Sequence, residues 1–154
     1  MDTVDAVIIG GGVVGLACAR QLSISGLSVI ILESETNYGM GQSSRNSEVI
    51  HGGLYYQPGS MKAKLCIKGR NLLYEYCNER NIKHLKIGKW IIANGKEQID
   101  KLDEIFENAI INGCSEVHWL EIDKALKEEP NLIAEKVLVS PRTGIIDSHE
   151  YMLN

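Results

Sequence analysis

Three glycines spaced as Gly10-x-Gly12-x-x-Gly15 constrain this chain more than any other feature. They follow a short, β-branched apolar run at residues 6–9 and open a stretch of helical period from residue 13 to about 25. A second apolar run at residues 29–32 closes on Glu33. The order strand, tight turn, helix, strand, acidic residue is that of a dinucleotide-binding βαβ unit. Each part has a physical task. Gly10 permits the turn, Gly12 lets the backbone approach a pyrophosphate, and Gly15 lets helix and strand cross closely. The helix start offers N–H groups and the positive end of its dipole to phosphates. Glu33 can accept hydrogen bonds from ribose hydroxyls, and its charge disfavours a 2′-phosphate, hence NADP. Taken alone, such glycines are equally a turn and a close crossing, and Glu33 a solvated strand end. The fingerprint does not separate FAD from NAD.

The strands at 6–9 and 29–32 read as buried and parallel, because both are continuous apolar runs. Gly15, Cys18, Ala19 and Leu22 make the inward face of the helix between them, and Gly26 ends it. Residues 34–59 carry Gly, Ser and Asn with no sustained period, a long loop with at most one helical turn; such loops are usually functional. From 60 to 80 the period is helical, with Ser60 as N-cap and a stripe of Leu65, Cys66, Leu72, Leu73, Tyr76 and Cys77. A strand at 88–93 follows. The helix at 97–112 has Ile99, Leu102, Ile105, Phe106, Ala109 and Ile110 on its apolar face. Strands at 117–120 and 137–139 flank a short helix that Asp123 caps and that stops before Pro130. The later half is therefore mixed α and β, without a βαβ rhythm.

A net charge of −4 argues against a nucleic-acid partner, whose binders usually carry a basic face. No apolar run is long enough for a transmembrane span. None of the four cysteines forms a CxxC pair, so the expectation is buried thiols in a reducing compartment and no metal site. The start, Met1-Asp2-Thr3-Val4-Asp5, is acidic where a secretory signal needs a basic segment, and a cytoplasmic protein is expected.

The loop segment from Gly41 through Ser43, Ser44, Asn46, His51, Gly52 and Gly53 to Tyr55 and Tyr56 resembles the D-amino-acid oxidase-like superfamily of FAD-dependent oxidoreductases. Residues 46–77, Glu129-Pro130-Asn131 and the run from Ser140 to Asp147 are most similar to its L-2-hydroxyglutarate dehydrogenase branch. The resemblance spans nearly the whole chain. It implies FAD as cofactor, with Ser43 and Ser44 helping to hold the pyrophosphate and ribose. It implies a small-molecule 2-hydroxy acid as substrate and His51 beside the flavin, taking the hydroxyl proton. In some amine-oxidising relatives the histidine of a similar segment attaches FAD covalently. The stretch after His51, residues 54–59, resembles the hydroxy-acid branch and implies a non-covalent flavin. From the residues alone, Ser43 and Ser44 are as compatible with loop capping, and Gly52-Gly53 with an ordinary turn. Most loop histidines are solvated or structural. Tyr55 and Tyr56 read as packing, and Lys62 and Lys64 as solvated.

The expected fold is α/β: a Rossmann-like FAD-binding part at 1–80, the beginning of a mixed α+β substrate domain at 81–147, and the start of a return to the FAD domain at 148–154. Members of the family are much longer, so the chain is expected to be an N-terminal fragment. Two alternatives stand beside the oxidoreductase: a non-catalytic fragment or subunit needing a second chain that supplies the missing half, and an NAD-dependent dehydrogenase.

Overall fold

A computed structural model describes residues 3–154; Met1 and Asp2, part of the acidic start, lie outside the described residues. The first elements are β1 (Ala6–Ile9), α1 (Val13–Ile24), β2 (Val29–Leu32), β3 (Val49–Ile50), α2 (Met61–Arg80), β4 (His84–Leu85) and β5 (Trp90–Ala93). Then come α3 (Lys96–Ile111), β6 (His118–Leu120), α4 (Ile122–Glu128), β7 (Lys136–Val139), β8 (Gly144–Ile146) and α5 (Ser148–Leu153). The chain divides into two compact units, residues 3–48 with 147–154, and residues 49–146.

In the first unit β1 and β2 pair in parallel, from Ala6 opposite Val29 to Ile9 opposite Leu32. Asp5 fixes the start of the pair by accepting from the Ser28 amide at 2.8 Å and the Ser28 hydroxyl at 2.6 Å. Helix α1 ends as its glycine foretells: Gly26 takes φ +86°, and the Leu27 amide donates back to the Leu22 carbonyl. The parallel βα order is as expected, but the expected burial is not. Ile9 is 89% exposed, and Val7, Ile30, Ile31 and Leu32 are exposed as well. Parallel strands are buried when helices cover both faces, and among the described residues of this unit α1 is the helix that packs along them. On α1 the inward face reduces to Ala19, while Cys18 is exposed.

The second unit holds two antiparallel sheets, in the orders β3-β8-β4 and β5-β7-β6. Helix α3 lies against the second sheet through Leu102 and Ala109, with Ile99, Ile105 and Phe106 beside them. Leu138 of β7, Leu54, Cys114 and Val117 complete that core. Burying a leucine such as Leu102, 2% exposed, contributes about 2–3 kcal/mol. Ile110, placed on this face by its period, is exposed.

Helix α2 is where periodicity misleads. Ser60 caps it as expected, accepting from the Ala63 amide at 3.2 Å. Its buried face, however, is Ala63, Arg70, Tyr74 and Cys77, while Leu65 and Leu72 of the expected stripe are exposed. Small side chains and two polar ones with specific partners face inward: Arg70 donates to the Gly52 carbonyl and Tyr74 to the Arg142 carbonyl. Those bonds also place α2 in the second unit, so the compact units part at 48/49 and not at 80/81. All four cysteines are free; Cys77 and Cys114 are buried, Cys66 is half-buried, and the expectation of four buried thiols fails at exposed Cys18. No helix of the described residues is long and apolar enough to cross a membrane.

Candidate functional site

The glycine loop is built as its spacing requires. Gly10 takes φ +101°, a conformation L side chains rarely adopt, and its amide donates to the Leu32 carbonyl at 2.7 Å. A Cβ on Gly15 would stand 2.0 Å from the Gly10 carbonyl oxygen, so only glycine allows this crossing of helix and turn. Gly12 is the N-cap of α1; it brings no side chain to close the helix, and no acidic residue stands in the first turn. A Cβ on Gly10 would meet nothing within 4 Å, and one on Gly12 only the Ser43 hydroxyl at 3.1 Å. A helix start with no cap from its own N-cap residue, beside open backbone, is the chemistry a pyrophosphate needs, and the residues present fit a dinucleotide.

Glu33 reaches this loop directly. Its Oε2 accepts from the Gly11 amide at 2.6 Å, and its Oε1 accepts from the Ser34 and Glu35 amides at 2.8 and 3.0 Å. These bonds, the Glu35 amide first and the Gly11 amide next, hold its carboxyl below the usual carboxylate range, so the group is ionised. Oε2 keeps a lone pair for another donor. Ser43 lies on the same loop: its hydroxyl accepts from the Val13 amide at 2.9 Å. Ser44 turns away, donating to the Met40 and Gly41 carbonyls and closing its own turn. Gly10, Gly12, Gly15, Glu33 and Ser43 are thus brought together. The loop between is fastened by two residues of the segment that carries the resemblance. Asn46 donates to the Ser43 carbonyl at 2.7 Å, and Glu48, at φ +55°, accepts from the Ser148 amide at 2.9 Å.

His51 belongs to the second unit. It follows β3, which pairs with β8 through Val49 opposite Ile145 and Ile50 opposite Gly144. The residue is exposed, and its imidazole takes no hydrogen bond from the described residues. The backbone behind it is buried. A Cβ on Gly52 would come within 2.6 Å of the Ser140 hydroxyl, and Gly53, at φ +89°, lies against Ile67. The Gly52 carbonyl accepts from Arg70 Nη1 at 2.9 Å and from Cys114 Sγ at 3.3 Å. Sequence reasoning passed over Arg70. The signal available was its place in step with Ala63 and Cys77, on the face that turned out to be buried. Tyr55 is exposed and accepts from Lys89 Nζ at 2.9 Å.

Residues 5–154 match the family described as DAO, FAD dependent oxidoreductase. The protein named L-2-hydroxyglutarate dehydrogenase, mitochondrial, of Arabidopsis thaliana is 50% identical over 153 residues, 99% of this chain and 32% of that protein. The Caenorhabditis elegans protein of the same name is 44% identical over 145 residues, 93% of this chain and 34% of that protein. Among solved structures, dithionite-reduced L-alpha-glycerophosphate oxidase from Mycoplasma pneumoniae with FAD bound superposes with a TM-score of 0.91 at 28% identity, over 99% of this chain and 41% of that one. The chain spans about a third of the length of the curated relatives it matches. The cofactor is FAD, as the loop segment implied, and the NAD alternative gives way. The expectation of a cytoplasmic protein is corrected: these relatives are named mitochondrial. That expectation rested on the charge of a few leading residues, and the composition of a folded domain carries no address.

Proposed function

This chain belongs to the FAD dependent oxidoreductase family, and on that premise we propose that it supplies the cofactor loop and the base of a protein that oxidises L-2-hydroxyglutarate to 2-oxoglutarate. The observation that carries the reading is the 50% identity, across 99% of this chain, to a protein named for that dehydrogenase. The first unit carries the cofactor loop, and His51 belongs to the second. Gly10, Gly12 and Gly15 admit the pyrophosphate to the start of α1. Ser43, and Ser44 after a rotation of its hydroxyl, donate to the pyrophosphate and ribose. Glu33 accepts from a ribose hydroxyl through the free lone pair of Oε2 while holding Gly11 with the other. FAD, when bound, would supply the redox chemistry as the acceptor of a hydride. The imidazole of His51 takes the C2 hydroxyl proton as the carbonyl forms.

A second reading makes this chain a non-catalytic remnant or a subunit that works with a second chain. The exposed apolar positions of β1 and β2, Ile9 above all, favour further polypeptide along them.

The test is an anaerobic titration of the FAD-loaded protein with L-2-hydroxyglutarate, its D enantiomer, glycerol 3-phosphate and glycine, followed by flavin absorbance. L-2-hydroxyglutarate alone should bleach the band, and acid precipitation should leave the flavin in the supernatant. Bleaching by glycine or glycerol 3-phosphate with none by the hydroxy acid rejects the substrate assignment.

A further inference from the structure

Arg70 is 5% exposed, and none of the ion pairs among the described residues includes it. Burying a guanidinium without a carboxylate is unfavourable unless its donors are met. Its Nε donates to Asn71 Oδ1 at 3.1 Å, and its Nη1 to the Gly52 carbonyl at 2.9 Å. A hydrogen bond from a charged donor is among the stronger ones a carbonyl can accept. The same carbonyl accepts from Cys114 Sγ at 3.3 Å, and Cys66 Sγ lies 3.9 Å from the His51 carbonyl oxygen. Burial pushes both thiols above their usual range, so they remain protonated and able to donate. The pairing of Val49 and Ile50 with β8 fixes the backbone before His51, and these side-chain donors fix the two peptide planes after it. Gly52 and Gly53 would otherwise be the least constrained backbone in the segment.

We propose that Arg70 is the positioning residue of His51: its buried guanidinium, bonded to the Gly52 carbonyl, holds the backbone from which the imidazole projects. The inference rests on the reading of His51 as the base. A misplacement near 1 Å costs about 10²-fold in rate, so freeing this carbonyl slows proton transfer without touching the cofactor.

The test is a double-mutant cycle on the FAD-loaded protein, with hydrogen exchange on the same variants free of FAD. Arg70→Met should slow flavin reduction by L-2-hydroxyglutarate about 10- to 10²-fold at unchanged FAD content. It should also speed amide exchange at residues 51–54 while α3 stays protected. In the His51→Ala background the same change should alter the rate less than about twofold, because a base already absent cannot be misplaced. Arg70→Lys, which keeps one charged donor, should recover part of the loss and stands in for the methionine variant if that one does not fold. Equal slowing in both backgrounds, unchanged exchange at 51–54, or failure of both variants to fold assigns Arg70 to the fold alone and overturns the proposal. If His51→Ala itself leaves reduction fast, the base reading has failed, and the cycle separates that outcome from a failure of Arg70.

Discussion

Gly15→Ala is the substitution for which the coordinates give the sharpest expectation. Its φ is not in the left-handed region, so the strain is one of space and not of backbone conformation. The added Cβ would stand 2.0 Å from the Gly10 carbonyl oxygen and 3.3 Å from Ile8 Cγ2, where ordinary contact begins at 3.4 Å. The obstacle is backbone, which cannot rotate aside, so the start of α1 must retreat from the turn by roughly 1 Å or more, at an overpacking cost of about 1–3 kcal/mol. The retreat also moves the amides that would face a pyrophosphate. Losing one charge-assisted bond of that kind costs about 1.5–3 kcal/mol, about a 10- to 10²-fold rise in the FAD dissociation constant. Flavin content on purification and fluorescence titration of the FAD-free protein measure it. Gly69→Ala is the control: it sits inside α2 with nothing within 4 Å of its Cβ position, and it should stabilise the helix by about 1 kcal/mol and leave FAD affinity alone. A Gly15→Ala protein that binds FAD as tightly as its parent refutes the close-crossing argument.

Three further outcomes are expected. Asp5, Glu33 and Glu48 are each held below the usual carboxylate range by hydrogen bonds within the first unit, from Ser28, from Glu35 and Gly11, and from Ser148. The folded state therefore binds fewer protons than the unfolded one. Their contribution is complete above the usual carboxylate range and is lost as pH falls through the lowered values. Hydrogen exchange across residues 3–48 should rise steeply below about pH 4 relative to its base-line pH dependence; exchange in α3 that rises first contradicts this. Leu102→Ala should cost about 2–5 kcal/mol and lower the melting temperature by about 10 °C or more, read by calorimetry; a shift under about 2 °C removes Leu102 from the core. Ser43→Ala should weaken FAD binding about tenfold, since the Val13 amide loses its acceptor and the cofactor a donor; an unchanged titration curve rejects its place in the cofactor loop.

The first unit was legible because its signals are local. Gly10, Gly12, Gly15 and Glu33 stand out through spacing, and β1, α1 and β2 form close to where the apolar runs lie. Helix α3 was legible for the same reason, its stripe from Ile99 to Ala109 repeating over about three turns. What the sequence hid depends on partners far along the chain. Strands β3, β4 and β8 have two, two and three residues, too short to show a period, and exist because Ile145 and Ile146 pair with Val49 and His84. Helix α2 carries leucines at Leu65 and Leu72 that outweigh its true inward face in any hydropathy count. Arg70 and Tyr74 are buried because the Gly52 and Arg142 carbonyls await them. Exposure of β1 and β2 was hidden in the same way, since an apolar run states what a strand can be packed against and not whether the packing is there. Within the site, the resemblance alone singled out Ser43 and Ser44, whereas the bond of Ser43 to the Val13 amide and the turn closed by Ser44 could be read only from coordinates.

The measurement that tests the account most directly is the single-turnover rate of flavin reduction by L-2-hydroxyglutarate in the FAD-loaded protein and in its His51→Ala variant at equal flavin content. Removing the proton acceptor should lower that rate about 10²- to 10⁴-fold while FAD stays bound. An unchanged rate in the variant, or a protein that purifies colourless and takes up NAD in place of FAD, contradicts the account.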